Sequence, residues 1–275
     1  MAILETELYS ECLGMRTGLL VIAPEETYLR NHRAEKAHPA LYLLHGGGYN
    51  YTSIIRDTGL HALVQDIFPG LFVIMPQLDF SYAMNYKDDC RYAYQYEQYL
   101  SCELPEIART LFPLSQRKED TAISGWSMGG FGAIVTGFNH PELFGHVGTQ
   151  CGMVDMVWGI ETREYMRVKY QRLFGQALEV RNSPYDCFAL TKKAAAETDA
   201  GKKPTLFQAW TYDDYLRQIN EDFHRHCVGL DLDYTWYLSP GKHGWGEHDA
   251  GLRAFLLWLK EKMEGNGHAG LYMQL

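Results

Sequence analysis

Apolar positions along the chain alternate between short runs and longer stretches at helical spacing. Residues 5–12 and 17–23, the second containing Leu19-Leu20-Val21-Ile22, read as two strands joined by a turn around Gly14, an antiparallel pair at a sheet edge. Leu41-Tyr42-Leu43-Leu44 and Leu71-Phe72-Val73-Ile74-Met75 are unbroken apolar runs, as expected of strands covered on both faces. The first leads into His45-Gly46-Gly47-Gly48 and the second is stopped by Pro76. Between them, Leu60, Leu63, Val64 and Ile67 predict a helix over 53–67. Residues 120–124 form another buried strand, 131–138 a helix of small and apolar residues ended by Asn139-His140-Pro141, and 146–150 a weaker strand. Residues 205–210 and 232–238 are the last two strands. They are separated by a helix over 215–228 with Leu216, Ile219, Phe223 and Cys227 on one face. A final helix buries Leu252, Phe255, Leu256, Leu259 and Met263 before a frayed tail from Gly265.

Two regions fit this alternation less simply. Tyr82, Tyr86, Tyr92, Tyr94, Tyr96 and Tyr99 crowd one stretch, either lining a pocket or packing beneath a helix that continues through Leu100, Leu104, Ile107 and Leu111. Pro105 inside that pattern predicts a kink or a break. Residues 152–200 hold two helices, one over 162–174 ending at Gly175 and one starting at Ser183-Pro184-Tyr185-Asp186. They form a small cap-like insertion that overhangs the strand ends. No repeat or linker divides the chain, so strands alternating with helices imply one α/β domain over 1–275. Its core is a mostly parallel sheet of about eight strands with helices on both faces.

Composition narrows the function classes. A net charge of -9 and no basic stripe argue against a nucleic-acid partner. No apolar run is long enough to span a bilayer, and Met1-Ala2-Ile3-Leu4-Glu5 lacks the features of a signal peptide. The six cysteines show no C-x-x-C spacing and read as reduced and mostly buried, giving a soluble, cytoplasmic protein.

The chemistry centres on Gly125-Trp126-Ser127-Met128-Gly129-Gly130. A G-x-S-x-G between a buried strand and a helix is a nucleophile elbow, with glycines because side chains would strike the neighbouring strand and helix. The bland alternative is a glycine-rich turn with an ordinary serine. In an α/β-hydrolase sheet the acid and the histidine follow in that order, each after a strand. His243, in the loop Gly241-Lys242-His243-Gly244 after the last strand, is the base; His224 and His226 fall within a helix. Asp213 and Asp214 both follow the preceding strand; we prefer Asp214 as the acid and keep Asp213 in reserve, one of the pair capping the next helix. Oxyanion donors are the N–H of Met128 and one from the glycine loop, Gly46 or Gly47. His243, His248 and Asp249 match no metal-ligand spacing, so neither metal nor cofactor is expected.

These motifs, with Ser10-Glu11-Cys12-Leu13-Gly14, Glu103-Leu104-Pro105, Ser183-Pro184-Tyr185, Asp214-Tyr215-Leu216 and Gly241-Lys242-His243-Gly244-Trp245, resemble the esterase D and tributyrin esterase family of α/β hydrolases, tributyrin esterase most of all. The resemblance implies Ser127 as nucleophile, Asp214 as acid, His243 as base and Gly47 as the loop donor. Pro105 becomes a family feature, and by analogy the protein is a dimer or tetramer. Trp126 beside the nucleophile departs from relatives. Trp126, Trp245 and Tyr212 are expected to line a small apolar acyl pocket. The expected activity is hydrolysis of short-chain, acetyl-like small-molecule esters. Acyl transfer, thioester cleavage of the S-formylglutathione type and a catalytically silent binding protein are the alternatives.

Overall fold

A computed structural model describes residues 1–27, 37–86, 94–244 and 249–265. Tyr92, Cys90, Trp245, His248 and His268 lie outside the described residues. Eight strands build one sheet: β1 (Ala2–Ser10), β2 (Met15–Ala23), β3 (Ala40–Leu44), β4 (Phe72–Pro76), β5 (Thr121–Trp126), β6 (His146–Gln150), β7 (Thr205–Thr211) and β8 (Tyr234–Ser239). Their order is β1-β2-β4-β3-β5-β6-β7-β8. β1 pairs antiparallel with β2 and β2 antiparallel with β4; every later pairing is parallel. This is the mostly parallel α/β sheet that the hydrophobic pattern implied.

Every residue of β3, β4, β5 and β6 is buried, and alternation divides them between two cores. Ala40, Tyr42 and Leu44 of β3 join one core with Phe72 and Ile74 of β4. Leu41 and Leu43 face the opposite way and join Val73 and Met75. The second core is closed by α1 (Ser53–Asp57), α2 (Leu60–Ile67) and, at the end of the chain, a long helix over Asp249–Glu264. The single helix expected over 53–67 is thus two. Thr58 is extended (φ -135°, ψ 168°), and Thr58 Oγ1 donates to the Ile54 carbonyl at 2.6 Å, so the first helix ends there.

The first core takes the tyrosine-rich stretch. Tyr82, Tyr96 and Tyr99 are buried, and Tyr82 sits among the rings of Phe80, Phe131, Tyr170 and Phe174, so aromatic packing is the main use of this segment. A short helix α3 (Tyr96–Gln98) widens into a π-helical turn over Tyr99–Glu103 before α4 (Leu104–Leu111). Pro105 lies in the first turn of α4, directly after the π-helical turn, which is where the regular helix is interrupted.

The same turn explains two of the sequence motifs. The Glu103 carboxylate accepts the Ser10 hydroxyl, the Glu11 N–H at 2.6 Å and the Cys12 N–H at 3.3 Å, tying the β1–β2 turn to the helix. Glu103→Ala would leave these donors unanswered and is expected to cost about 2–3 kcal/mol, measured by urea unfolding. A change within the roughly 0.5 kcal/mol of an ordinary surface substitution would remove Glu103 from this role.

After β5 comes α5 (Met128–Asn139). The segment between β6 and β7 holds four helices where two were expected: α6 (Met156–Thr162), α7 (Glu164–Phe174), α8 (Ala177–Val180) and α9 (Cys187–Ala195). Gly175 ends α7 as anticipated, at φ 82°. The N-cap of α9 is Asp186, whose carboxylate accepts from Phe188 and Ala189; Ser183 and Pro184 precede the helix. α10 (Arg217–Val228) and α11 (Asp249–Glu264) complete the chain. No helix of the described residues is long and apolar enough to cross a membrane.

Candidate active site

Sheet order fixes where a site can form. The chain runs from β3 to β4 on one side and then returns to β5 on the other, and ligands in open α/β sheets bind beyond the carboxyl ends of strands at such a reversal. Leu44 pairs with Gly125, Trp126 with Gln150, and Thr211 with Ser239. That register brings His45, Ser127, Cys151 and the loops after β7 and β8 to one edge.

Ser127 alone separates β5 from α5, with φ 55° and ψ -111°, a backbone region that costs a non-glycine residue about 1–3 kcal/mol. Three backbone bonds hold it there. Its N–H donates to Gln150 O at 2.9 Å, and its carbonyl accepts from Phe131 (3.2 Å) and Met153 (3.1 Å). A Cβ on Gly125 would lie 2.4 Å from the Gly129 backbone, and one on Gly129 would lie 2.4 Å from Leu44 O. Both glycines are steric requirements of the turn, as the sequence implied.

The loops after β7 and β8 are stitched together before they reach Ser127. Tyr212 N–H donates to Ser239 O at 3.0 Å, Asp213 N–H to Gly241 O at 2.9 Å and Thr211 Oγ1 to Lys242 O at 3.3 Å. His243 then lies with Nε2 3.0 Å from Ser127 Oγ and Nδ1 2.9 and 2.8 Å from the two oxygens of Asp214. Asp214 is buried and Asp213 exposed. The division of labour expected for this pair is corrected: no side chain caps α10, and Asp214 Oδ1 itself accepts from Leu216 N–H at 2.7 Å at the helix entrance. One carboxylate therefore orients the imidazole and holds the chain entering α10.

Burial pushes the Asp214 carboxyl up, but hydrogen bonds and charge from His243, with the Leu216 N–H and the Cys151 thiol, outweigh it and hold the group below the ordinary carboxylate range. Cys151 is buried directly after β6. Burial and the neighbouring Asp214 both push its thiol up, so it stays protonated and can donate to the carboxylate. Donor atoms of Cys151, Asp214 and His243 lie within 4.8 Å of one another, close enough for a metal by distance alone. Their hydrogen bonds to one another and to Ser127 and Leu216 already occupy them.

The imidazole is also in contact with two aromatic rings. Trp126 makes one ring contact, with centroids 4.4 Å apart, and Tyr215 makes a second, also at 4.4 Å. Trp126 is 3% exposed, so its indole supports His243 and presents little surface to a ligand. Tyr212, 38% exposed, lies under the Arg217 guanidinium at 5.5 Å, and no described contact joins it to Ser127 or His243. Trp245 lies outside the described residues. Tyr215 and Cys151 were missed. Their signal was position: one follows the acid directly, and the other ends a strand beside Gly152.

The glycine loop closes the other side. His45 is fully buried; its Nε2 accepts the Leu78 N–H at 3.0 Å, so Nδ1 carries the proton that goes to Gly46 O at 2.8 Å. Burial favours this neutral form against the pull of the Gly46 carbonyl and Asp79. With the Gly46 carbonyl pinned to His45, the trans peptide turns the Gly47 N–H the opposite way. Met128 opens α5, where an N–H has no intrahelical acceptor and the helix dipole is positive. A Cβ on Gly46 would strike the Trp126 ring at 2.5 Å and one on Gly47 the Phe80 ring at 2.7 Å, so the loop packs tightly against both.

Comparison with known proteins gives the family. The profile of the Putative esterase family matches residues 10–218. An acetyl esterase of Caldicellulosiruptor saccharolyticus is 28% identical over 256 residues, covering 89% of this chain and 93% of the relative. Two Staphylococcus aureus structures superpose at 25% identity, covering 94% of this chain and 98% of each. One is a substrate-bound, fluorophosphonate-binding serine hydrolase (TM-score 0.81), the other an S-formylglutathione hydrolase apoenzyme (TM-score 0.80). With a family match over most of its length and this fold, the chain belongs to the Putative esterase family and is a carboxylic-ester hydrolase.

Proposed function

We propose that the protein hydrolyses short-chain, acetyl-like esters through an acyl-enzyme on Ser127. The observation that carries this reading is the 3.0 Å approach of His243 Nε2 to Ser127 Oγ, with Asp214 on the opposite nitrogen. His243 takes the Ser127 proton as Oγ attacks the ester carbonyl. Negative charge on the tetrahedral oxygen is met by the Met128 and Gly47 N–H groups. Asp214 stabilises the imidazolium without taking its proton. The C–O bond to the alcohol then breaks, His243 gives its proton to the leaving oxygen, and water repeats the sequence to release the acid.

The acetyl preference is supported by the likeness to an acetyl esterase. A panel of p-nitrophenyl esters from acetate to decanoate tests it, extended to acetylated sugars. Acetate and butyrate should give the highest kcat/KM; absence of turnover, or a preference for octanoate and longer, would overturn the proposal. Thioester cleavage is a second reading, favoured by the similarity to an S-formylglutathione hydrolase structure. Matched acetyl esters and thioesters separate the two.

A further inference from the structure

Beside the proposed base lies a cation without an acidic partner. Arg163, at the C-cap of α6, is half-buried, and its guanidinium carbon stands 4.6 Å over the Tyr215 ring and 5.5 Å over that of Trp158. Tyr215 in turn makes a tilted ring contact with His243. Arg163 also donates to the Tyr165 hydroxyl at 3.4 Å, and among the described residues no carboxylate comes within ion-pair distance of it. By contrast, Arg217 binds Glu221 at 2.6 Å and Arg181 faces Asp155 at 3.5 Å. A half-buried arginine without a carboxylate is able to take an anionic ligand. A second cation from the same insertion, Lys169, places its Nζ 3.7 Å over the Phe80 ring, the ring that packs against Gly47. Two cations thus stand over the aromatic rings that flank His243 and the glycine loop.

A guanidinium carries five N–H donors, and those engaged with the Tyr165 and Tyr215 hydroxyls leave others for a planar anion. On the proposed mechanism, which this inference rests on, His243 hands its proton to the leaving oxygen, so the alcohol half of the ester departs along the imidazole edge. The groups layered on His243 are then the neighbours of that half. We propose that the preferred substrates are O-acyl hydroxy acids, esters whose alcohol carries a carboxylate, with Arg163 binding that carboxylate and Lys169 adding longer-range attraction.

The test compares 4-acetoxybenzoate with its neutral amide in wild type, Arg163→Gln and Arg163→Lys, reading the ratio of the two kcat/KM values within each protein so that any general loss cancels. The wild-type ratio should favour the anion and fall as salt is raised. Arg163→Gln should lower the ratio about tenfold, mainly through KM, and Arg163→Lys should restore part of it. A wild-type ratio near one, or a ratio unchanged in Arg163→Gln, overturns the proposal. So does an Arg163 dependence found with mono-p-nitrophenyl succinate, whose carboxylate lies on the acyl half, and not with 4-acetoxybenzoate. Failure to cleave either acetoxy compound or p-nitrophenyl acetate would instead sink the esterase mechanism itself.

Discussion

Ser127→Ala is expected to lower kcat for p-nitrophenyl acetate by about 10⁶-fold, because removing the nucleophile disables the whole triad. Since Oγ bonds His243 while the backbone at Ser127 is held by Gln150, Phe131 and Met153, the fold should be unaffected. Single-turnover kinetics beside a thermal melt separates the two. Adding His243→Ala should cost little more, since parts that act as a unit are not additive. A loss of less than about a hundredfold in Ser127→Ala, with the melt unchanged, would mean that another group attacks the ester.

Asp214→Asn should lower kcat by about 10⁴-fold while leaving Ser127 and His243 in place. An amide can donate to Nδ1, which favours the tautomer with the proton on Nε2, and that form cannot accept from Ser127. The same substitution carries a pH signature. Burial pushes the Asp214 carboxyl up, but His243, Leu216 and Cys151 hold it lower on balance, so the folded protein binds that proton less readily than the unfolded chain. A depressed carboxyl contributes stability that is fully present above the ordinary carboxylate range and is lost as pH falls through the folded value. Urea unfolding against pH should therefore show a wild-type advantage over Asp214→Asn at neutral pH that closes in acid. An advantage independent of pH would assign it to packing.

Much of this site could be read from the sequence because its members sit at strand ends. The elbow glycines, the loop after the last strand and the acid after the one before it are local patterns whose meaning follows from sheet order. Gly125 and Gly129 were legible because a clearance of 2.4 Å leaves no room for a side chain. Tyr215, Cys151 and Arg163 were not, since stacking on His243 or donation to Asp214 depends on how segments far apart in sequence converge. Helix boundaries failed for a related reason. The apolar face over 53–67 is continuous, yet the chain bends at Thr58, where a threonine hydroxyl competes for a backbone carbonyl. Between β6 and β7, four helices bury apolar residues in the same core, and spacing alone merged them into two.

On the proposed mechanism, the contacts of Trp126 and Tyr215 with His243 also bear on the release of the acyl group. The imidazole, in contact with both rings and tethered at Nδ1, exchanges protons through the edge that carries Nε2. The departing alcohol leaves by that edge, and the water that frees the acyl group enters by it. Entry and exit share a single doorway, so a slowly released alcohol keeps water out and is itself the acceptor best placed to take the acyl group back. How far the enzyme hydrolyses and how far it exchanges one alcohol for another is then set by traffic through that doorway, more than by the strength of the base.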